Sequence, residues 1–272
     1  MRLTYLLICA SVALWAAPIR AASLQPDLMP RAAAAEVVIL GEMHDNPAHH
    51  EIQARIVAEL MPKAVVWEML TAKEAGLVNA TLIRDPEKLE QVLQWADSRW
   101  PDFSMYLPIF QAAPDARLYG GEVPRQAARA AMQAGPAVAF GADAARYGLN
   151  IGLPPEQQAA RELLQMQAHC GAMPQDRLAA MVGIQRLRDA VLAREALRAL
   201  KETGGPVAVI TGNGHARRDW GIPVYVERVR PGTKIFVLGQ SEQGQIEGQF
   251  DVVLDSLPVP REDPCAAFTG SE

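Results

Sequence analysis

The sequence predicts an α/β fold: a mostly parallel central sheet with flanking helices and a helical insert that acts as a lid. Three observations carry this. Short continuous apolar runs at 36–40, 64–68 and 206–211 have the character of strands buried on both faces. Helical apolar spacing separates them, and strands that alternate with helices pack as a largely parallel sheet. A long stretch at 71–202 carries helical patterning with little strand signal, which places helices over one end of the sheet.

The first residues, 1–22, read as a secretory signal. Arg2 supplies a weak positive start, 3–17 an apolar stretch, and Ile19-Arg20-Ala21-Ala22 small-residue cleavage options. The run is shorter than the roughly 20 residues that a membrane-spanning helix needs. The expectation is a cleaved, exported chain in a periplasm-like compartment. Membrane association would follow only from lipidation at Cys9, which is not expected because Ile8 is bulky where a small residue is wanted.

Residues 23–257 then form a single α/β domain. The run 36–40 ends at Gly41 as a strand. Asp45-Asn46-Pro47 offers an Asx cap and a proline start to a helix whose apolar positions are Ile52, Ile56, Val57 and Leu60. The run 64–68 is a second strand, so 36–68 reads as a βαβ crossover with parallel strands. Residues 71–111 are helical, with breaks at Pro86, Pro101 and Pro108 and an aromatic patch of Trp95, Trp100, Phe103, Tyr106 and Phe110. That patch reads as core. A third strand at 117–121 precedes helices at 124–133, 155–169 and 175–202, the last stopped by Gly204-Gly205. The run 206–211 leads straight into Gly212-Asn213-Gly214-His215. Strands at 234–239 and 250–255 close the sheet, and 258–272 reads as a loop tail.

Of the 26 Lys and Arg, two (Arg2 and Arg20) leave with the signal, so 24 basic residues face 31 acidic ones, about −7 at neutral pH. Nucleic acid is excluded as a partner, because phosphate binding needs a basic face. Cys170 and Cys265 are the cysteines of the mature chain. An oxidising compartment lets them join as a disulfide tying the tail to a helix; two free buried thiols are the alternative.

In open parallel sheets the ligand sits beyond the carboxyl ends of the strands. His44, Glu68 and His215 fall at such ends, and Glu42 shares the first turn. Glycines at 41, 212 and 214 allow sharp turns and close approach. Two imidazoles and two carboxylates brought together can hold a divalent metal or run acid–base chemistry. The plainer alternatives are a histidine that caps a helix and a Glu68 that pairs with Arg217 or Arg218. His49 and His50 are expected at the surface of the first helix. His169-Cys170-Gly171 offers either a soft ligand pair or a helix-terminal histidine followed by a glycine cap.

The segments Ile39-Leu40-Gly41-Glu42-Met43-His44-Asp45-Asn46, Trp67-Glu68-Met69, Gln185-Arg186-Leu187-Arg188-Asp189-Ala190, Ile210-Thr211-Gly212-Asn213-Gly214-His215-Ala216-Arg217 and Gly221-Ile222-Pro223-Val224-Tyr225 resemble the ChaN-like haem-binding uptake family. The resemblance runs from about Glu36 to Val226. It implies a fold related to the Tiki, TraB and erythromycin-esterase superfamily, and iron-related lipoproteins that bind haem as a homodimer, with the haems stacked between subunits. The superfamily's acid and histidine positions fall on Glu42, His44, Glu68 and His215. The function so implied is an exported haem-binding protein of iron or haem uptake or storage. Tyr106, Tyr147 and His169 are the candidate haem ligands, a tyrosinate being a suitable axial donor to ferric haem. The alternative is a metal-dependent hydrolase with a divalent ion and catalysis at Glu42, His44, Glu68 and His215.

Overall fold

Runs that are apolar without alternation have to be covered on both faces, and the structure covers them. The computed structural model describes residues 25–263 and 265–266; the expected signal at 1–22, with Cys9, lies outside the described residues. Six strands, β1 (Val37–Glu42), β2 (Ala64–Trp67), β3 (Arg117–Gly120), β4 (Val207–Gly212), β5 (Ile235–Glu242) and β6 (Val252–Ser256), form one sheet in the order β3-β2-β4-β1-β5-β6. Every neighbouring pair is parallel. All residues of β1, β2 and β4 are buried.

The expected βαβ unit exists, with β1 and β2 parallel, yet the two strands are not neighbours. β4 lies between them, with Val209 opposite Ile39 on one side and Val66 on the other. The fit is physical: β4 is buried at every position, and an interior place in the sheet leaves it no exposed edge.

Alternate strand residues feed two core layers. Val38, Leu40, Val65, Trp67, Ile210 and Leu238 pack under the helices Pro47–Leu60 and Phe103–Ala112, where Trp67 stacks on Phe110 at 4.0 Å and 11°. Ile39, Val66, Val209 and Val237 pack under the helices Gln175–Thr203 and Ile222–Val229. The predicted aromatic patch is core as expected, with Trp95, Phe103, Tyr106 and Phe110 buried. Trp100 alone is half-exposed.

The Pro47–Leu60 helix starts as its sequence dictates: the Asn46 side chain accepts from the Ala48 N–H at 3.0 Å and proline takes the first position. Its buried face is wider than the apolar pattern suggests. His49 and His50, expected at the surface, are buried, because the helix is covered by the Phe103–Ala112 helix and its first turn plugs the end of the sheet. The Met43 N–H donates to His49 Nδ1 at 2.9 Å, His49 Nε2 meets Ser256 Oγ at 2.9 Å, and His50 Nε2–H donates to the His44 carbonyl at 2.9 Å.

The Gln175–Thr203 helix has 29 residues against the six of β4 that follows it, and it stops at Gly204 with φ +77°. A helix feeding a parallel strand runs antiparallel to it, so the first half overhangs the carboxyl edge of the sheet. There it joins the Pro155–Ala168 helix as the lid. Cys170 and Cys265 form a disulfide with Cα atoms 5.4 Å apart, fastening the tail to the end of that lid helix. The free-thiol alternative is thereby set aside. Among the described residues no helix is long and apolar enough to cross a membrane.

Candidate functional site

Three adjacent strands deliver the polar residues. β1 ends in Glu42, Glu68 follows β2, and β4 runs into the short Asn213–Ala216 helix that carries His215. Two glycines make this closeness possible. A Cβ on Gly212 would lie 2.8 Å from His44 Nε2, and one on Gly41 2.5 Å from Asn213 Oδ1. Gly214 has open space around it and lines the cavity above the strand ends.

His44 Nδ1–H donates to Glu42 Oε1 at 2.7 Å, and the Tyr106 hydroxyl donates to the same oxygen at 3.1 Å. His50 Nδ1 stands 3.3 Å from Glu42 Oε2, outside hydrogen-bond geometry. Glu68 Oε2 accepts from the Thr211 hydroxyl at 2.7 Å and the Gly212 N–H at 2.8 Å. Its other oxygen lies between His44 Nε2 at 4.0 Å and His215 Nε2 at 3.6 Å. His215 Nδ1–H donates to Asp189 Oδ1 at 2.5 Å. The pairing of Glu68 with an arginine does not occur: Arg217 forks onto Asp219 and Arg218 onto Asp251.

The result is an alternating chain, Glu42–His44–Glu68–His215–Asp189, buried except for His44, whose side chain is 33% exposed. Burial by itself would lower the His44 pKa. The bond to Glu42 and the charges of Glu68 and Glu42 outweigh it and raise it to about 9. Burial likewise opposes ionisation of Glu68, but the charges of His215 and His44 and the two donated bonds bring it down to about 2. His215 is raised too, burial being overcome by Glu68 and Asp189. At neutral pH His44 is an imidazolium beside the Glu68 carboxylate, and His215 is biased toward the same charged form.

Such a chain can hold and pass protons, and a neutral imidazole is what a metal ion requires. The four residues expected to hold a divalent ion do come together. Each imidazole nitrogen already faces a carboxylate, and among the described residues no group of three or more His, Cys, Asp or Glu side chains has the arrangement of a metal site. The metal-dependent hydrolase alternative gains no support from this geometry.

Above the chain opens a cavity of about 830 Å³, roofed by the lid helices. Trp100, Trp220, Leu164 and Ile246 give it apolar surface, and Arg99, Arg161, Arg188, Arg217 and Arg261 line it. The His44 ring faces Trp100 at 4.9 Å. None of the three candidate haem ligands lines this cavity. Tyr106 is fully buried beneath it, its pKa pushed far up by burial and by Glu42. Tyr147 is buried in the layer under the Gln175–Thr203 helix, with its ring 4.8 Å from Phe140. His169 ends the Pro155–Ala168 helix half-buried, Nδ1 against the Gln165 carbonyl at 2.8 Å and Nε2 without a hydrogen bond among the described residues.

Asp189 was missed by the sequence reading as a site residue. Its signal was an acidic side chain on the helix stripe of Leu187, Ala190, Leu192 and Ala193, where a buried charge needs a partner.

The fold is similar to that of ChaN of Campylobacter jejuni, whose structure is described as showing cofacial heme binding: TM-score 0.62, 20% identity, covering 81% of this chain and 87% of that one. The type III effector HopBA1 matches at TM-score 0.47 and 12% identity, over 85% of this chain and 91% of its own. A succinoglycan biosynthesis protein matches at 0.40 and 12%, over 82% and 70%. No curated protein matches the sequence. The model of the family described as haem-binding uptake, Tiki superfamily, ChaN matches residues 28–226, and the chain belongs to that family.

Proposed function

We propose that this protein binds haem in the cavity over the strand ends and serves haem or iron uptake or storage outside the cytoplasm. Membership of the haem-binding uptake family is the observation that carries the reading. The cavity fits the group. Its volume of about 830 Å³ lies in the range of small-molecule sites. Trp100 and Trp220 offer aromatic faces to a flat macrocycle, and the arginines offer cations to its carboxylates. Haem would supply a ferric centre in need of an axial donor. Of the three candidate ligands, His169 stands next to cavity-lining Ala168, and its Nε2 has no hydrogen bond among the described residues. Tyr106 would have to give up Glu42 and leave the core, and Tyr147 would have to leave Phe140.

Export is supported by the signal-like pattern at 1–22 and by the disulfide, which suits an oxidising compartment. A homodimer closing over the cavity is supported by Leu163, 59% exposed on the lid helix beside cavity-lining Leu164. Hemin titration of the purified protein tests the reading. A saturable Soret shift is expected, lost in one of His169→Ala, Tyr106→Phe or Tyr147→Phe, with the apparent mass doubling on loading. A flat response in the unmodified protein would refute haem binding.

A further inference from the structure

The chain is acidic overall, with a formal net charge of −5, yet one wall of the cavity is basic. The arginines there divide into two kinds. Arg217 is forked onto Asp219, and Arg261 bridges Asp45 and Glu242. Both are neutralised and serve the fold. Arg161 and Arg188 are different. Arg161 is only 7% exposed, its Nε has no hydrogen-bond partner, and its Nη2 donates only to the uncharged Gln157 Oε1 at 3.2 Å. Arg188 is half-buried and has no hydrogen bond or ion pair among the described residues.

Neither lacks partners because acids are missing. Asp189 acts on both through space, and Glu68 and Glu122 on Arg188, but none is within bonding reach: Glu68 Oε2 is taken by Thr211 and Gly212, and Asp189 Oδ1 by His215. Like charges stand near both guanidinium groups as well. Burial, with Arg186 and Arg217 nearby, lowers the pKa of Arg161; burial and Arg99 lower that of Arg188. A cation held out of water without a bonded counter-ion is costly, and one buried and one half-buried guanidinium of this kind lining one cavity mark a place for an anion. The Arg161 guanidinium lies 5.0 Å from the centre of the Trp220 ring, so the charge adjoins an aromatic face.

We propose that Arg161 and Arg188 form a carboxylate-binding subsite of the cavity, which takes the acid groups of a ligand whose apolar body fills the rest of it. The identity of the carrier rests on the haem reading, in which the two propionates are those carboxylates. A free polycarboxylate is the other source of the same chemistry. Arg161 stands on the Pro155–Ala168 helix and Arg188 on the Gln175–Thr203 helix, so one ligand would join both lid helices.

The experiment compares hemin and its dimethyl ester, which lacks the negative charges, on the full chain and on Arg161→Gln and Arg188→Gln. Arg188→Gln guards against misfolding of the more deeply buried variant, and thermal melting checks both. The expected result is hemin binding weakened about 10- to 100-fold in each variant, as for loss of a charge-assisted bond. The ester should bind the unmodified protein with the same deficit and be indifferent to the substitutions. Hemin binding unchanged in both folded variants, or ester bound as tightly as hemin, overturns the subsite and leaves the haem reading standing. No hemin binding by the unmodified protein overturns the haem reading; calorimetry with citrate then decides the subsite. Heat of binding lost in Arg188→Gln supports it, and no heat in the unmodified protein overturns it.

Discussion

Replacing Glu68 by Gln removes the central charge of the buried chain while nearly keeping its shape. The amide can still accept from Thr211 and Gly212, so those bonds, at 2.7 and 2.8 Å, are a matched background. What is lost is the carboxylate 4.0 Å from His44 Nε2 and 3.6 Å from His215 Nε2. A histidine raised from 6.5 to about 9 corresponds to at most about 3 kcal/mol of folding free energy. The hydrogen bond to Glu42 is the first cause of that rise and stays in the variant, and His44 is a third exposed, so the share that goes with Glu68 is about 1 kcal/mol. The lowering of Glu68 from 4.5 to about 2 reports the same interactions from the other side and is not added. Breaking a buried pair by removing one partner costs about 3–5 kcal/mol, so Glu68→Gln should destabilise by about 3 kcal/mol near pH 6.

The sign of the pH dependence follows from both groups. Glu68, depressed in the folded chain, contributes above about 4.5 and loses its contribution as pH falls through about 2. His44, raised, contributes fully below 6.5 and loses its contribution as pH rises through about 9. The penalty of Glu68→Gln should therefore be largest between pH 4.5 and 6.5 and smaller at pH 9.5. Urea unfolding of both proteins at pH 6 and pH 9.5 measures it. A penalty that is the same at both pH values, or none at pH 6, would sink the account of the chain as imidazolium groups held by carboxylates.

Two further outcomes are expected. Gly212→Ala puts a methyl 2.8 Å from His44 Nε2, so His44 must shift, and its proton resonance should titrate nearer the ordinary histidine value; an unmoved titration contradicts the close approach. Cys265→Ser opens a loop closed across 95 residues, and the chain-entropy relation gives a loss of about 4–5 kcal/mol, seen as a lowered melting temperature that reducing agent no longer changes. Equal melting of the reduced and oxidised unmodified protein would contradict it.

The strand ends were legible because chemistry and pattern coincide there: 37–40 and 207–210 are apolar without interruption, and each leads to a glycine shortly before a histidine. The order of the strands was not, because nothing local in β4 states that it lies between β1 and β2. The buried end of β5 escaped for a similar reason. Gln240, Ser241 and Glu242 look like loop residues, but Gln240 donates to the Gly41 and His49 carbonyls and its N–H to Asn213 Oδ1, so polar residues extend the strand into the interior. His49 and His50 were misplaced because one helix has two partners, and periodicity reports only the apolar share of a buried face. Asp189 was hidden by distance along the chain from the histidine that it orients.

The position of β4 also governs how the molecule is assembled in time. Val37 pairs with Val207, and β2 reaches β1 only through β4. A chain lengthening from its N-terminus makes Glu42, His44 and Glu68 early, but it has no sheet centre to hold them in register until some 170 residues later. Closure of so long a separation is slow and entropically costly. His215 follows directly on β4, so one insertion both bridges β1 to β2 and places the last member of the buried chain, with β5 and β6 added afterwards.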